Sequence, residues 1–313
     1  MKGYLAYIIT IIGASFWGLT GLFVENLYQY GFSAWEIVAA RLTTSTIILI
    51  LLLFLFSPKH LKINVKHLPH FIGLGVCGIV IFNWCYFTVI GQTSVSIAVV
   101  LLYTSPVFVT ILSYFLFKER ITQRKCLSLL LTLVGCALAI QLLPIGHTTL
   151  SIHTIGLGLL SALFCALYSI IGKLISAHYN FLTITLYALL TGSLFIFPTS
   201  GLWRKLDLFH QTEVIINILG VSVISTILAY TLYTLGLVYI ESSKAAILGA
   251  MEPIVAVLVG VFIFGDVLSL LQLTGIFFVI SSAFLTVFHQ KRKSEKTFKQ
   301  FKNRARRDLK GYY

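Results

Sequence analysis

Apolar runs of about twenty residues, separated by short polar segments, follow one another along almost the whole chain. A helix needs about 20 consecutive apolar residues to cross a bilayer, so each run has the length of a membrane span. The pattern therefore predicts ten transmembrane helices followed by a polar tail. Their predicted bounds are 4–24, 34–56, 70–90, 95–117, 125–143, 155–176, 181–200, 214–236, 242–264 and 269–289.

The pattern around the fourth predicted span recurs 147 positions later. Six identical residues and one Glu/Asp exchange keep this offset, which indicates a duplication. Because each half holds five helices, an odd number, the second copy is inserted upside down relative to the first. We therefore predict an all-α membrane fold of ten transmembrane helices in two inverted-topology five-helix repeats, residues 1–143 and 155–289. The matched positions are Tyr86, Ser96, Ala98, Pro106, Phe115, Phe117 and Glu119 in the first copy and Tyr233, Ser243, Ala245, Pro253, Phe262, Phe264 and Asp266 in the second.

Composition and charge agree with a membrane protein and give it an orientation. Hydrophobic residues make up 58% of the chain and charged residues 11%, whereas about 25% of a soluble domain is charged. With the N-terminus inside, twenty of the 23 Lys and Arg fall on the inner side, and only Arg204 and Lys205 fall in outer loops. Because basic residues are retained on the cytoplasmic side, we expect a multi-pass plasma-membrane protein with both termini in the cytoplasm.

The tail, residues 290–313, carries ten Lys and Arg against two acids. Phe298, Phe301, Ala305 and Leu309 share one helical face, which favours a basic amphipathic helix on the anionic lipids of the inner leaflet. The alternative is a solvated cytoplasmic tail whose charge only orients the protein. Neither interpretation calls for nucleic acid as a partner.

Two charged residues fall deep within predicted spans, toward mid-membrane, where a charge costs roughly 2.5–3.5 kcal/mol unless it is paired, hydrated or neutralised. Glu252 precedes Pro253, which removes a hydrogen bond to the carbonyl of Gly249. Glu252 could exchange a proton or hold a substrate ammonium group, or it could only fix helix packing. Arg41 could bind a carboxylate or Glu252, or could extend to the outer headgroups. Pro106, Gly249 and Pro253 are the predicted hinges.

Polar and aromatic residues of several spans could complete a chamber between the two halves. Asn83 and Tyr86 share one face of the third span, and Tyr230 and Tyr233 occupy the equivalent positions of the eighth. Aromatic rings with a polar tip suit a pocket for molecules with an apolar body, although each could instead pack between helices. The predicted substrate-binding residues are Trp17, Arg41, Asn83, Tyr86, Tyr103, Tyr230, Tyr233 and Glu252.

Other kinds of chemistry find little support in the sequence. The five cysteines fall in apolar runs without a CxxC pair, and His60, His67 and His70 lack acidic or thiol companions, so no metal site is predicted. No G-x-x-x-x-G-K-[ST] motif occurs, so neither ATP hydrolysis nor a cofactor is expected. A membrane enzyme and a passive channel stay as alternatives. The first would need a cluster of acids and bases at one face, and the second would need no duplicated proline helices.

Several short motifs occur in a fixed order along residues 3–289. They are Ala14-Ser15-Phe16-Trp17-Gly18, Arg41, Tyr103-Thr104-Ser105-Pro106 and Phe117-Lys118-Glu119-Arg120 in the first half, and Met251-Glu252-Pro253 and Phe264-Gly265-Asp266 in the second. This arrangement resembles the drug/metabolite transporter superfamily, specifically its EamA-type ten-helix members. The resemblance implies secondary transport of small metabolites, often export of amino acids or drugs, through a central cavity lined by both halves. The second half departs from the family pattern at Cys165, where a Trp is common.

The candidate residues also narrow the substrate class. Phosphorylated or nucleotide sugars would need paired cationic side chains deep in the chamber, and Arg41 is the one available. A zwitterion with an apolar body suits one acid, one guanidinium group and an aromatic wall. We therefore expect an exporter of amino acids or similar amphipathic metabolites or drugs that works by alternating access, with proton coupling through Glu252 as a hypothesis.

Overall fold

A computed structural model describes residues 3–93, 95–140, 151–265 and 267–287, and every regular element in these ranges is a helix. Nine of the described helices are long and apolar enough to cross a membrane. Another helix, with 17 residues, occupies the position of the predicted fifth span. We number the ten in chain order as spans 1 to 10. Their bounds are Tyr4–Gln29, Ala34–Phe56, Val65–Gln92, Ile97–Phe117, Gln123–Ala139, Ile152–Ile175, Phe181–Ser200, Thr212–Tyr239, Ser242–Ile263 and Leu270–Val287.

The predicted all-helical membrane fold is confirmed, with differences at the helix ends. Spans 1, 3 and 8 extend beyond their apolar cores into polar residues, because a helix continues until a cap or a glycine ends it. Short 3₁₀ helices, Pro58–Leu61 and Leu202–His210, lie between spans 2 and 3 and between spans 7 and 8. The segment 141–150 and the predicted tail, 290–313, lie outside the described residues.

Polar caps fix where the membrane helices begin. The Ser33 hydroxyl accepts a hydrogen bond from the Glu36 N–H (3.3 Å), and the Glu36 carboxylate accepts one from the Ser33 N–H (2.7 Å). This capping box begins span 2. The Asn180 side chain begins span 7 by accepting a hydrogen bond from the Leu182 N–H (3.0 Å). The caps thereby determine which residues of these spans lie at mid-membrane.

Close helix contacts join the two halves along span 1. A Cβ on Gly13 would lie 2.7 Å from the backbone nitrogen of Tyr233, and one on Gly18 would lie 2.5 Å from the carbonyl oxygen of Glu252. Only glycine fits at such distances, and small residues are what allow helix backbones to approach in a membrane. Span 1 of the first half therefore rests directly on spans 8 and 9 of the second.

Spans 4 and 9 are both interrupted just before their prolines. Span 4 breaks at Tyr103 and Thr104, where the helix Val95–Leu102 gives way to Ser105–Phe117. Span 9 breaks at Ala250, between Ser242–Gly249 and Met251–Phe264. The predicted hinges Pro106, Gly249 and Pro253 lie at these two breaks. Interrupted helices near the midplane are characteristic of secondary transporters.

Spans 3 and 8 share a second irregularity that the sequence did not predict. Each contains a π-helical segment, Gly73–Ile81 in span 3 and Val223–Leu228 in span 8. With the offset of 147 residues between the repeats, these segments overlap. π-helical turns are rare and are often found at functional sites. Both segments lie directly before the predicted binding residues of their span.

Candidate functional site

Glu252 lies in the first turn of the helix Met251–Phe264, directly after the break in span 9. The residue is deep inside the bundle and yet half-buried, whereas its neighbours Pro253 and Ile254 are buried. A Cβ on Gly249 would meet no described atom within 4 Å, so open space adjoins the break. Because Glu252 is half-buried, water, a proton or a bound molecule can reach its carboxyl group.

Two polar groups of the first half face Glu252. The Tyr103 hydroxyl, at the break in span 4, approaches the Glu252 carboxyl group without closing a hydrogen bond, and the Arg41 guanidinium acts on the carboxyl group from span 2. Within the described part of the chain, neither the buried Tyr103 hydroxyl nor Arg41 Nε has a hydrogen-bond partner. Leaving such a group unpaired costs about 1–3 kcal/mol, so a water or a ligand is the usual partner.

Asn83 orients Arg41. Arg41 Nη2 donates a hydrogen bond to Asn83 Oδ1 (3.4 Å), and Asn83 Nδ2 donates one to the carbonyl oxygen of Ile79 (2.7 Å), in the π-helical segment of span 3. Asn83 is only 3% exposed. Its amide therefore positions the guanidinium group, and its contact with a substrate stays a prediction.

An aromatic cluster forms the wall beside this polar group. The Trp17 ring lies 5.1 Å from that of Tyr230 and 5.0 Å from that of Tyr233, measured between centroids, and the Tyr168 ring lies 5.1 Å from that of Tyr230. Tyr230 is also close enough to Arg41 and Glu252 to feel their charges. Half-buried Trp17 and the Tyr230 ring thus form an aromatic surface close to the charged residues.

The remaining predicted residues differ in exposure. Tyr86 is half-buried, stacks near Phe87 with 5.6 Å between ring centroids, and lies within electrostatic reach of Glu252. Tyr233 is 4% exposed, and its hydroxyl is hydrogen-bonded to the Ser169 hydroxyl (2.8 Å). Tyr86 can therefore meet a bound molecule, whereas Tyr233 packs. The structure brings all eight predicted residues into one region, which we call the chamber.

Cys165 on span 6 belongs to the same region and was not predicted as a site residue. Its thiol interacts with the Ser105 side chain at the break in span 4 and lies within reach of the Glu252 charge. Span 6 is the repeat counterpart of span 1, and the offset of 147 places the equivalent of Trp17 directly before Cys165. This equivalence could have indicated Cys165 as a site residue. Cys165 is half-buried.

Histidines of two loops meet on one membrane face. The His67 ring lies 5.0 Å from that of His178 and 6.1 Å from that of His70, and His67 Nδ1 is 2.9 Å from the Tyr179 hydroxyl. Among the described residues, no three His, Cys, Asp or Glu side chains converge as metal ligands would. These contacts join loops of the two halves.

Comparisons with known proteins agree with this architecture. The EamA-like transporter family matches residues 4–141 and 153–288. An uncharacterized transporter of Archaeoglobus fulgidus is 32% identical over 202 residues, which cover 63% of this chain and 70% of that protein. The threonine/homoserine exporter RhtA of Escherichia coli is 26% identical over 251 residues, 79% of each chain. A solved crystal structure shares the fold with a TM-score of 0.71 at 16% identity, over 90% of this chain and 95% of the other.

The two successive family matches correspond to the duplication seen in the sequence and confirm the resemblance. They identify a transporter and exclude an enzyme. The chain therefore belongs to the EamA-like transporter family of the drug/metabolite transporter superfamily.

Proposed function

We propose that the protein exports amino acids or similar small amphipathic metabolites by alternating access between its halves, residues 1–143 and 155–289. Similarity to a threonine/homoserine exporter supports the substrate class. The charge distribution of the loops supports a plasma-membrane protein with both termini in the cytoplasm. The basic residues of the tail support its contact with anionic inner-leaflet lipids.

The separation of Arg41 and Glu252 in one chamber carries the proposal. Among the described residues no ion pair within 4.0 Å joins them, although each lies in the field of the other. An amino acid carries two opposite charges on one small body, and these charges are complementary to Arg41 and Glu252. In this arrangement its ammonium group meets Glu252 and Tyr103, and its carboxylate meets Arg41. The unpartnered groups of Tyr103 and Arg41 then gain the hydrogen bonds that they lack.

The broken helices support movement of the halves around this site. Tyr103 and Glu252 each lie at a break, one in span 4 and the other in its repeat counterpart, span 9. Because the hydrogen-bond ladder is interrupted there, each helix half can tilt without breaking further backbone bonds. A molecule held between the two breaks is exposed to one side and then to the other.

Glu252 is the group that couples transport to protons in this proposal. A carboxyl group within a membrane is either neutral and protonated or ionised with a partner. A proton that enters from outside neutralises Glu252 and weakens its hold on the substrate ammonium group. Loss of the proton inside restores the carboxylate, which then binds the next substrate molecule.

Transport in proteoliposomes tests the proposal. The protein is reconstituted in vesicles, which are loaded with labelled threonine or with one of a panel of other amino acids. Countertransport is then measured with and without an imposed pH gradient. We expect countertransport of at least one amino acid, which a passive channel does not show. Glu252→Gln should exchange substrate but lose its response to the pH gradient, whereas exposed Glu25→Gln serves as the matched control. A Glu252→Gln protein that keeps the full pH response contradicts the proton role.

A further inference from the structure

Four charged residues join the two halves at one membrane face. Glu119 and Lys125 lie between spans 4 and 5 and at the start of span 5, and Glu241 and Lys244 lie at the start of span 9. Lys125 Nζ lies 2.8 Å from Glu241 Oε2 and 3.4 Å from Glu119 Oε2, and Lys244 Nζ lies 3.6 Å from Glu241 Oε2. We call these four residues the charge latch.

Glu119 also holds the beginning of span 9. Its carboxylate accepts hydrogen bonds from the backbone N–H groups of Ser242 (2.7 Å) and Ser243 (3.3 Å), and from the Ser243 hydroxyl. A carboxylate at a helix N-terminus is stabilised by the helix dipole. The helix that begins there, Ser242–Gly249, ends at the break before Glu252. The latch is therefore connected to the chamber by one short helix.

The two first-half residues of the latch are shielded from water, whereas the side chain of Glu241 is 37% exposed. The side chains of Lys125 and Glu119 are only 7% and 8% exposed. Burial alone would raise the pKa of Glu241, but the charges of Lys125 and Lys244 outweigh it and hold that pKa below its ordinary value, so the carboxyl group is ionised at neutral pH. Opening the latch breaks the ion pair Lys125–Glu241 and removes the N–H groups of span 9 from the buried Glu119 carboxylate, which is unfavourable.

The latch has no equivalent on the other membrane face, because the residues at the equivalent positions of the repeat are different. With the repeat offset of 147, Glu119 corresponds to Asp266, Lys125 to Gln272, Glu241 to Ser94 and Lys244 to Ile97. One acid and no base remain, so no ion pair can form among these four positions. The side chain of Gln272 accepts a hydrogen bond from the Ser269 N–H of its own helix start (2.9 Å).

Two further contacts between loops join the halves. One joins the loops that follow spans 1 and 7, and the other joins the loops at the equivalent positions of the opposite repeats, which follow spans 6 and 2. On one face Lys205 Nζ lies 3.3 Å from Glu36 Oε2, and on the other the Tyr179 hydroxyl accepts a hydrogen bond from the Asn64 N–H (2.8 Å). Both contacts are closed in the same structure. We call these two contacts the frame, which holds the halves together on both faces. The latch differs from the frame because its counterpart on the other face has no ion pair.

We propose that the charge latch closes the chamber toward its own face, and that opening toward this face is the costlier half of the transport cycle. The inference rests on the alternating access of the proposed function. It follows from the asymmetry between the two gates. One gate must separate the ion pair Lys125–Glu241 and the hydrogen bonds of Glu119 to the start of span 9, and the other has no ion pair at the equivalent positions. The residues that decide which way the chamber opens are Glu119 and Lys125, which link the two halves.

Cys165 is a native reporter of access to the chamber, because it is half-buried, contacts Ser105 at the break in span 4 and lies within reach of the Glu252 charge. The protein in vesicles of one orientation is treated with a membrane-impermeant thiol reagent at the latch face, and peptide mass spectrometry separates Cys165 from exposed Cys126. We expect Glu119→Gln and Lys125→Gln to label Cys165 roughly fivefold faster or more. The matched control Glu36→Gln removes an ion pair of the frame and should leave the rate unchanged.

Equal rates in wild type and both latch variants would contradict the proposal, and so would an equal acceleration in Glu36→Gln, which would indicate general loosening. Should the Gln variants fail to fold, Glu119→Cys with Ser243→Cys in a Cys126→Ser background can be bridged by a short bifunctional thiosulfonate, which forms a disulfide with each thiol. Bridging should stop exchange until a reductant is added, and exchange that continues overturns the latch. Labelling needs no substrate, so failure of the latch is distinguishable from failure of the proposed substrate class.

Discussion

The charge latch and the chamber differ in how their polar groups are satisfied. In the latch, Glu119, Lys125 and Glu241 each have an ion-pair partner within 3.4 Å. In the chamber, over the residues that the structure describes, the Tyr103 hydroxyl and Arg41 Nε stay without hydrogen bonds. Both regions contain buried and half-buried side chains, so exposure to water does not distinguish them. The charged groups of the latch are paired within the protein, whereas Tyr103 and Arg41 in the chamber keep polar atoms that another molecule can bind.

The largest effect should come from Lys173, a buried and paired cation within reach of the latch charges of Glu119 and Glu241. Lys173 is 7% exposed and donates hydrogen bonds to the carbonyl oxygens of Leu237 (2.7 Å), Val238 (3.2 Å) and Ile240 (2.6 Å) at the end of span 8. Lys173→Met removes these bonds and should lower the free energy of unfolding by about 3–5 kcal/mol. The melting temperature in detergent measures this loss, and Lys173→Arg should recover part of it. Unchanged melting would show that the carbonyl groups do not need the cation.

A change in the chamber should affect substrate binding more than folding. Arg41→Met removes the proposed carboxylate partner and should weaken substrate affinity roughly 10- to 100-fold, the worth of a charge-assisted hydrogen bond. Inhibition of countertransport by unlabelled substrate measures the affinity. Exposed Arg204→Met is the control for loss of one positive charge. A melting temperature that falls as far as in Lys173→Met would remove the distinction between the two regions.

The contact between span 1 and the backbone of Glu252 offers a steric test. Gly18→Ala places a Cβ 2.5 Å from the Glu252 carbonyl oxygen, whereas a Cβ on Gly21 would meet no described atom within 4 Å. Gly18→Ala should therefore lower the free energy of unfolding by about 1–3 kcal/mol and displace Glu252 from the chamber. Gly21→Ala is the matched control and should leave both melting temperature and transport unchanged. Transport by Gly18→Ala at the wild-type rate would show that the helix pair adjusts.

The smallest effect, and the sharpest comparison, comes from two tyrosine hydroxyls. Tyr103→Phe removes a hydroxyl without a hydrogen bond among the described residues, and Tyr233→Phe removes one that is bonded to Ser169 at 2.8 Å. Tyr233→Phe should lower the free energy of unfolding by about 1 kcal/mol and keep substrate affinity. Tyr103→Phe should keep stability and lose roughly fivefold in affinity. The reverse result in paired melting and competition measurements would contradict the assignment of both residues.

The spans and the members of the chamber could be predicted from the sequence, because both depend on local pattern. Span length follows from the run of apolar residues, and the cost of a charge at mid-membrane marks Glu252 and Arg41. The repeat offset supplied Tyr86 and Tyr230, because equivalent positions of an inverted duplication converge at the midplane. The breaks at Pro106 and Pro253 likewise follow from a missing backbone donor.

The partners of these residues could not be predicted, because they depend on which spans touch. Nothing local shows that Lys173 binds the end of span 8, or that Glu36 both caps its own helix and pairs with Lys205. The π-helical segments of spans 3 and 8 have no signature in apolar pattern, since one extra residue in a turn leaves the hydrophobic run unchanged. Asn83 acquires its positioning role only through such a segment.

The frame contacts on both faces have a practical consequence for imaging so small a membrane protein. An antibody fragment bound to the loop at 201–211 would attach where the halves stay joined, and it should enlarge the particle while turnover continues. A fragment bound to the loop at 118–122, beside Glu119, should instead arrest turnover in a single conformation. Using both fragments on one specimen would separate the two effects. The first fragment only enlarges the particle for alignment, and the second holds the protein in one conformation.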